Sequence, residues 1–166
     1  MSSSFFRQVY HTVLLQSTCT LLSIGRALPL ALTVTYVKQI AIALHYAHDQ
    51  RRIHRDVKPE NILFGLNNKV LLSDFGIAVV AHSTYSQKTE DSIGTARYMA
   101  PKQWQGKPVP ATDQYALGII VYEWLCGECP FIGGTLQLMY QHLHAPPPSL
   151  QSRVPAISPT QEEKMT

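Results

Sequence analysis

The stretch His54-Arg55-Asp56-Val57-Lys58-Pro59-Glu60-Asn61, followed shortly by Asp74-Phe75-Gly76, decides how this chain is read. The first segment is too charged and too proline-bound to be core. Between the two lie the apolar runs Asn61-Ile62-Leu63-Phe64 and Lys69-Val70-Leu71-Leu72, with Gly65 to Asn68 between them, a pattern that predicts a β-hairpin. A hairpin returns the chain to where it began, so Asp56, Asn61 and Asp74 are expected at the two ends of one small unit. Two carboxylates and an amide oxygen are hard donors of the kind magnesium prefers, with phosphate supplying the remaining ligands. Lys58 adds a positive point charge beside them, suited to a phosphoryl group in transit.

Upstream, Val37, Ile40, Leu44 and Ala47 recur at helical spacing and predict a core-facing helix from Leu30 to about His48. Downstream, the polar segment from Asp74 to about Arg97 has no regular period and reads as a mobile loop, closed by Gly94-Thr95-Ala96-Arg97-Tyr98-Met99-Ala100-Pro101. Asp113 to Leu125 is apolar on most faces, the mark of a buried helix, and Gly127 with Pro130 ends it. A shorter helix is expected over Thr135 to Leu143, stopped by Pro146-Pro147-Pro148. The tail beyond is polar and reads as frayed.

With H-R-D-x-x-x-x-N, D-F-G and the Ala100-Pro101 element in this order, plus Asp113-Gln-Tyr-Ala-Leu-Gly118, the segment from Leu30 to Pro148 resembles the C-terminal lobe of a protein kinase. Lys58 in the loop and Gly94-Thr95 later resemble the serine/threonine branch, of bacterial type. The resemblance implies transfer of the ATP γ-phosphate to a protein hydroxyl, with Asp56 as general base. It implies Lys58 on the γ-phosphate, Asn61 and Asp74 as Mg2+ ligands, and Thr95 seating the substrate hydroxyl. Leu63 would floor the adenine pocket. Asp113 would anchor the catalytic-loop backbone, and His54 and Phe75 would be stacked core residues. Arg55 beside the base implies pairing with a phosphate on the following loop, where Thr84, Ser86, Thr89 and Ser92 are candidates and Thr89 is favoured.

The pattern also asks for G-x-G-x-x-G, a V-A-I-K lysine and a helix glutamate, and residues 1–29 carry none of these. The expected fold is therefore α+β, mainly α: a kinase-like C-terminal lobe (residues 30–148) with a small catalytic-loop hairpin and no N-terminal β lobe. Residues 1–29 are unassigned, and residues 149–166 form a polar tail entering a truncated helix. Lys102 stands where the third motif has glutamate, which normally pairs with a later arginine that is also missing, so the loop is expected to lack that anchor. The alternative is a truncated, catalytically inactive fragment, a binding module or unstable remnant whose cut faces call for a covering partner.

The remaining composition narrows the context. The 166 residues, 45% hydrophobic and 15% charged, suit one ordinary globular domain. A net charge of +3 without a basic run argues against a nucleic-acid partner. Val9 to Ile24 faintly resembles a signal peptide but is broken by His11 and Gln16, and no stretch is clean enough to span a membrane, so a cytoplasmic location is expected. Three cysteines make a poor disulfide framework. Cys126-Gly127-Glu128-Cys129 spells C-x-x-C, yet with no second pair and no βαβ context it reads as two thiols at a helix end. The regulatory reading is directly testable: phosphopeptide mapping of an active preparation is expected to find Thr89 modified, and an unmodified loop would remove it.

Overall fold

A computed structural model describes residues 27–75 and 94–154. Thr84, Ser86, Thr89, Ser92 and the mobile-loop reading of residues 76–93 lie outside the described residues. Helix α1, Leu30–Asp49, buries Thr33, Tyr36, Ile40, Leu44 and Ala47, a stripe at three- and four-residue spacing that faces one side of the helix. Val37, read as part of that stripe, packs at the core margin. Helix α3, Pro110–Cys126, runs through the centre and buries residues on nearly every face, among them Asp113, Ile120 and Trp124. It begins one turn before the expected start at Asp113. Pro110 is no breaker there, because the first turn needs no N–H from it. That extra turn places Asp113 in the first turn, where the helix dipole favours a negative charge.

Ile40, Leu44, Ile62, Ile120, Trp124 and Leu138 meet in one core, with Phe64, Val70 and Leu72 packed against it. Tyr36, Phe64 and Trp124 form an aromatic group with centroids 4.8–6.2 Å apart. The hairpin strands β1, Ile62–Phe64, and β2, Val70–Leu72, pair antiparallel with Leu63 opposite Leu71. Their connection is a 3-10 turn, Leu66–Asn68, in which Asn67 and Asn68 take left-handed backbone. Asparagine tolerates that conformation better than other side-chain-bearing residues. Gln39 of α1 clamps the hairpin, donating from Nε2 to the Asn68 carbonyl (2.8 Å) and accepting the Val70 N–H at Oε1 (3.0 Å).

The third motif contains a short helix α2, Pro101–Trp104. Helix α4, Thr135–His144, turns Leu138 and His142 inward. The segment after the triple proline is not wholly frayed: Leu150–Arg153 forms a helical turn, α5, and Leu150 packs on Val121 and Leu125 of α3. The described residues are thus mainly helical with one two-stranded sheet. Among them, no helix is long and apolar enough to cross a membrane.

Gly127 closes α3 in the left-handed conformation (φ 79°), and the two thiols of the C-x-x-C segment flank that turn unbonded to each other. Burial, then the Glu123 carboxylate, pushes the Cys129 thiol up to about 12, and burial raises Cys126 as well. A redox-active pair needs a lowered value, so both shifts oppose that chemistry. At pH 8 the thiolate fraction of Cys129 falls roughly a thousandfold below that of a free thiol. Alkylation of Cys129 by iodoacetamide should therefore be correspondingly slow in the folded chain and become fast in urea. Rapid labelling of the folded chain would contradict this environment.

Candidate active site

The loop between α1 and β1 is held from below by one carboxylate. Asp113 is 1% exposed and accepts the His54 N–H at Oδ2 (2.9 Å) and the Arg55 N–H at Oδ1 (2.8 Å). Its Oδ2 also receives His48 Nε2 at 2.7 Å, from the last turn of α1. The other side of the Arg55 peptide is held too, since Gln103 of α2 donates to the Arg55 carbonyl at 2.7 Å. Arg55 is thereby fixed at φ 68°, a left-handed backbone that costs a non-glycine residue about 1–3 kcal/mol and persists only under such constraint.

His54 is fully buried and ties three segments together. Its backbone binds Asp113, its Nε2 meets the Ser73 carbonyl at 2.8 Å, and its Nδ1 accepts the Asp56 N–H at 3.3 Å. The tautomer with the proton on Nε2 satisfies both ring contacts. Phe75 leans on the His54 ring (centroids 4.5 Å apart, tilted 55°) yet keeps 38% of its surface exposed. It is therefore no core residue, contrary to expectation, because its one ring contact among the described residues is with His54.

Above this base the polar side chains converge. Lys58 Nζ lies 3.1 Å from Asp56 Oδ2 and donates to Thr95 Oγ1 at 2.9 Å, while the Thr95 hydroxyl lies 3.3 Å from Asp56 Oδ1. Thr95 comes from the far side of the long loop, so the triangle joins two distant segments. Asp56 and Lys58 side chains are each 19% exposed, leaving them partly shielded but reachable. Asn61 donates its amide nitrogen to the Asp56 carbonyl (2.7 Å) and to Asp56 Oδ2 (3.1 Å). With the nitrogen so engaged, the amide oxygen is the atom left to act as a ligand.

The hairpin brings Asp74 to the same end. Beyond the Ile62–Leu72 pair, the Ser73 N–H donates to the Asn61 carbonyl at 2.9 Å. Ser73 Oγ lies 3.0 Å from Asp74 Oδ2. Asp74 also takes left-handed backbone, at φ 61°. Leu63 and Leu71 occupy the hairpin face opposite the core-packed Ile62, Phe64, Val70 and Leu72, and Leu71 is 44% exposed. Among the described residues no group of three His, Cys, Asp or Glu side chains forms a metal cage. An amide oxygen and a carboxylate are hard donors, of the kind that suits a cation taking much of its shell from phosphate and water, as Mg2+ does.

The Arg55 Nε is buried and has no hydrogen-bond partner among the described residues, and Thr89 lies outside them. Lys102 is exposed and makes no ion pair among the described residues, so the charge reversal there meets water, while the neighbouring Gln103 ties α2 to the Arg55 carbonyl. Two residues of this framework escape a motif reading, His48 and Gln103. His48 is legible only as a polar residue at a helix end, and Gln103 carries no local signal because its partner is a distant backbone carbonyl.

The protein kinase domain model matches residues 6–163, nearly the whole chain. The chain is 44% identical over 119 residues to serine/threonine-protein kinase PknB of Mycobacterium leprae, covering 70% of this chain and 19% of that protein. It is 40% identical over 136 residues to PknJ of Mycobacterium tuberculosis (77% and 23%). It is 36% identical over 143 residues to PknA of Corynebacterium glutamicum (85% and 30%). The aligned region thus spans roughly a fifth to a third of the length of these curated relatives. Taken with the motif order and the converging loop, these matches establish that the chain belongs to the protein kinase domain family and is similar to bacterial serine/threonine kinases.

Proposed function

We propose that this site transfers the γ-phosphoryl group of ATP to a serine or threonine hydroxyl of a protein substrate. The observation that carries the reading is the closed triangle of Asp56, Lys58 and Thr95, in which a carboxylate, an ammonium and a hydroxyl lie within 2.9–3.3 Å of one another. In the reaction, the substrate oxygen bonds to the γ-phosphorus as its proton passes to Asp56. The bond from that phosphorus to the β–γ bridging oxygen breaks, and ADP leaves. Lys58 places positive charge where the transferring group is most anionic. Thr95 holds the base and the lysine in register and offers a seat for the incoming hydroxyl. The Asn61 oxygen and the Asp74 carboxylate would hold Mg2+, which when bound neutralises phosphate charge. Leu63, on the hairpin face away from the core, suits contact with the flat apolar base of the nucleotide.

The same geometry supports a regulatory reading. Arg55, with a buried, unpartnered Nε and a rigidly held peptide, would donate from its guanidinium to a loop phosphate, with Thr89 as the proposed source.

A second reading, a non-catalytic binding module, is favoured by the exposure of two large apolar side chains, Leu71 (44%) on the hairpin and Phe75 (38%) just beyond it. One experiment separates the two. The chain, incubated with γ-labelled ATP, Mg2+ and a generic protein substrate, is expected to transfer label. Asp56→Asn should lower the rate by about 10²–10⁴-fold without loss of fold. A folded chain that transfers no label supports the binding module. Transfer that survives Asp56→Asn removes Asp56 as the base.

A further inference from the structure

Helix α4 buries a histidine that the transfer reaction leaves unused. His142 is 5% exposed, and its ring stands edge-on to Phe131 (centroids 4.8 Å apart) and Tyr115 (5.7 Å). Its Nδ1 lies 2.8 Å from the Tyr115 hydroxyl of α3. Its Nε2 is buried and makes no hydrogen bond of ordinary length and angle among the described residues. The backbone bordering the ring is that of Ala96 and Arg97, directly after Thr95, and Ala96 shares a core cluster with Phe131 and Leu138. Burial holds the imidazole below the usual histidine range, and the Arg97 and Ala96 backbone pulls the other way, as carbonyl oxygens do. The ring is therefore neutral near pH 7 and carries one proton. Burial pushes the Tyr115 phenol up to about 12, so its O–H persists as a donor. With that O–H donating to Nδ1, the ring proton belongs on Nε2, on the side of the loop carbonyls.

We propose that His142 is a positioning residue for Thr95: Tyr115 fixes the imidazole so that its Nε2–H is aimed at the Ala96–Arg97 backbone and keeps that turn seated against α4. Inside the turn the backbone contacts are long. The Tyr98 N–H reaches the Thr95 carbonyl at 3.2 Å and the Met99 N–H reaches the Ala96 carbonyl at 3.4 Å. Thr95 is the one member of the Asp56–Lys58–Thr95 triangle that stands on this turn. A shift of the turn therefore moves the seat of the substrate hydroxyl while Asp56 and Lys58 stay on their own loop. The proposal deepens the phosphoryl-transfer reading and rests on it for its catalytic consequence. The bridge from α3 through α4 to the turn does not. His142 touches none of Asp56, Lys58 and Thr95 in its recorded contacts, and its effect is indirect.

Nitrogen-15 NMR of the full chain labelled at histidine reads the tautomer directly, with the His142 signals assigned by their loss in His142→Gln. At about pH 7.5 the expected ring is neutral and protonated on Nε2, and Tyr115→Phe should shift its Nδ1 resonance. A ring protonated on Nδ1, a doubly protonated ring, or an Nδ1 resonance unmoved by Tyr115→Phe overturns the proposal. Amide hydrogen exchange then measures the hold on the turn at Tyr98 and Met99, against Leu44 and Ile120 as core references. His142→Gln keeps an N–H donor within reach of the turn, and His142→Met keeps similar bulk without one. His142→Met should exchange about tenfold faster at both amides with the references unchanged, while His142→Gln stays within about threefold of the parent. In an active preparation His142→Met should lower kcat about tenfold with the KM for ATP unchanged, and His142→Gln should restore kcat. Equal behaviour of the two variants, or a rise shared by all amides, overturns the proposal. If the methionine chain does not fold, the glutamine chain decides: parent-like protection at Tyr98 and Met99 supports the donor role, and lost protection overturns it. A chain that transfers no phosphate but shows the expected tautomer and exchange pattern would contradict the catalytic reading and leave the bridge intact.

Discussion

The described structure depends on a single buried carboxylate. Asp113 sits in the first turn of the central helix, where the helix dipole favours a negative charge, and accepts from two backbone amides of a loop as well as from the His48 side chain. This arrangement is strong because a buried ion left with an unsatisfied partner is costly, so neither side of the contact can drift without penalty. It also lets a loop with little regular structure be as fixed as the core beneath it. Arg55 can then be held in left-handed backbone, and Asp56 projects from a peptide frame that is pinned on both sides.

From that anchor the order of the site follows. His54 carries the constraint inward to Ser73, and the two-stranded hairpin carries it across to Asn61 and Asp74. The hairpin does two jobs because its faces alternate. Ile62, Phe64, Val70 and Leu72 bind it to the core, while Leu63 and Leu71 remain turned the other way. The polar triangle of Asp56, Lys58 and Thr95 sits above this framework, its members within 2.9–3.3 Å of one another.

Much of this was legible in the residues. The α1 stripe and the hairpin follow from apolar spacing, and the hairpin's return explains why the Ser73 N–H, next to Asp74, meets the Asn61 carbonyl. The start of α3 was not, because a proline signals a break unless the helix begins there, and only the fold shows that Pro110 stands in the first turn. Phe75 was misjudged because an aromatic in a buried-looking motif gives no sign of whether its second face is covered. Lys102 was read as a lost anchor, and among the described residues it is exposed and forms no ion pair; the neighbouring Gln103 makes a separate tie, from α2 to the Arg55 carbonyl. His48 and Gln103 share one reason for being missed. Their partners lie 65 and 48 residues away, and long-range pairings of single polar residues leave no local pattern.

The measurement that bears most directly on this account is a crystal structure of the Asp113→Ala chain. Stranding the His54 and Arg55 amides should cost about 1–3 kcal/mol each. The account predicts that α1 and α3 keep their packing while residues 54–61 lose their single conformation and Asp56, Lys58 and Thr95 separate. A loop unchanged in Asp113→Ala, with the Asp56–Lys58–Thr95 triangle intact, would contradict it.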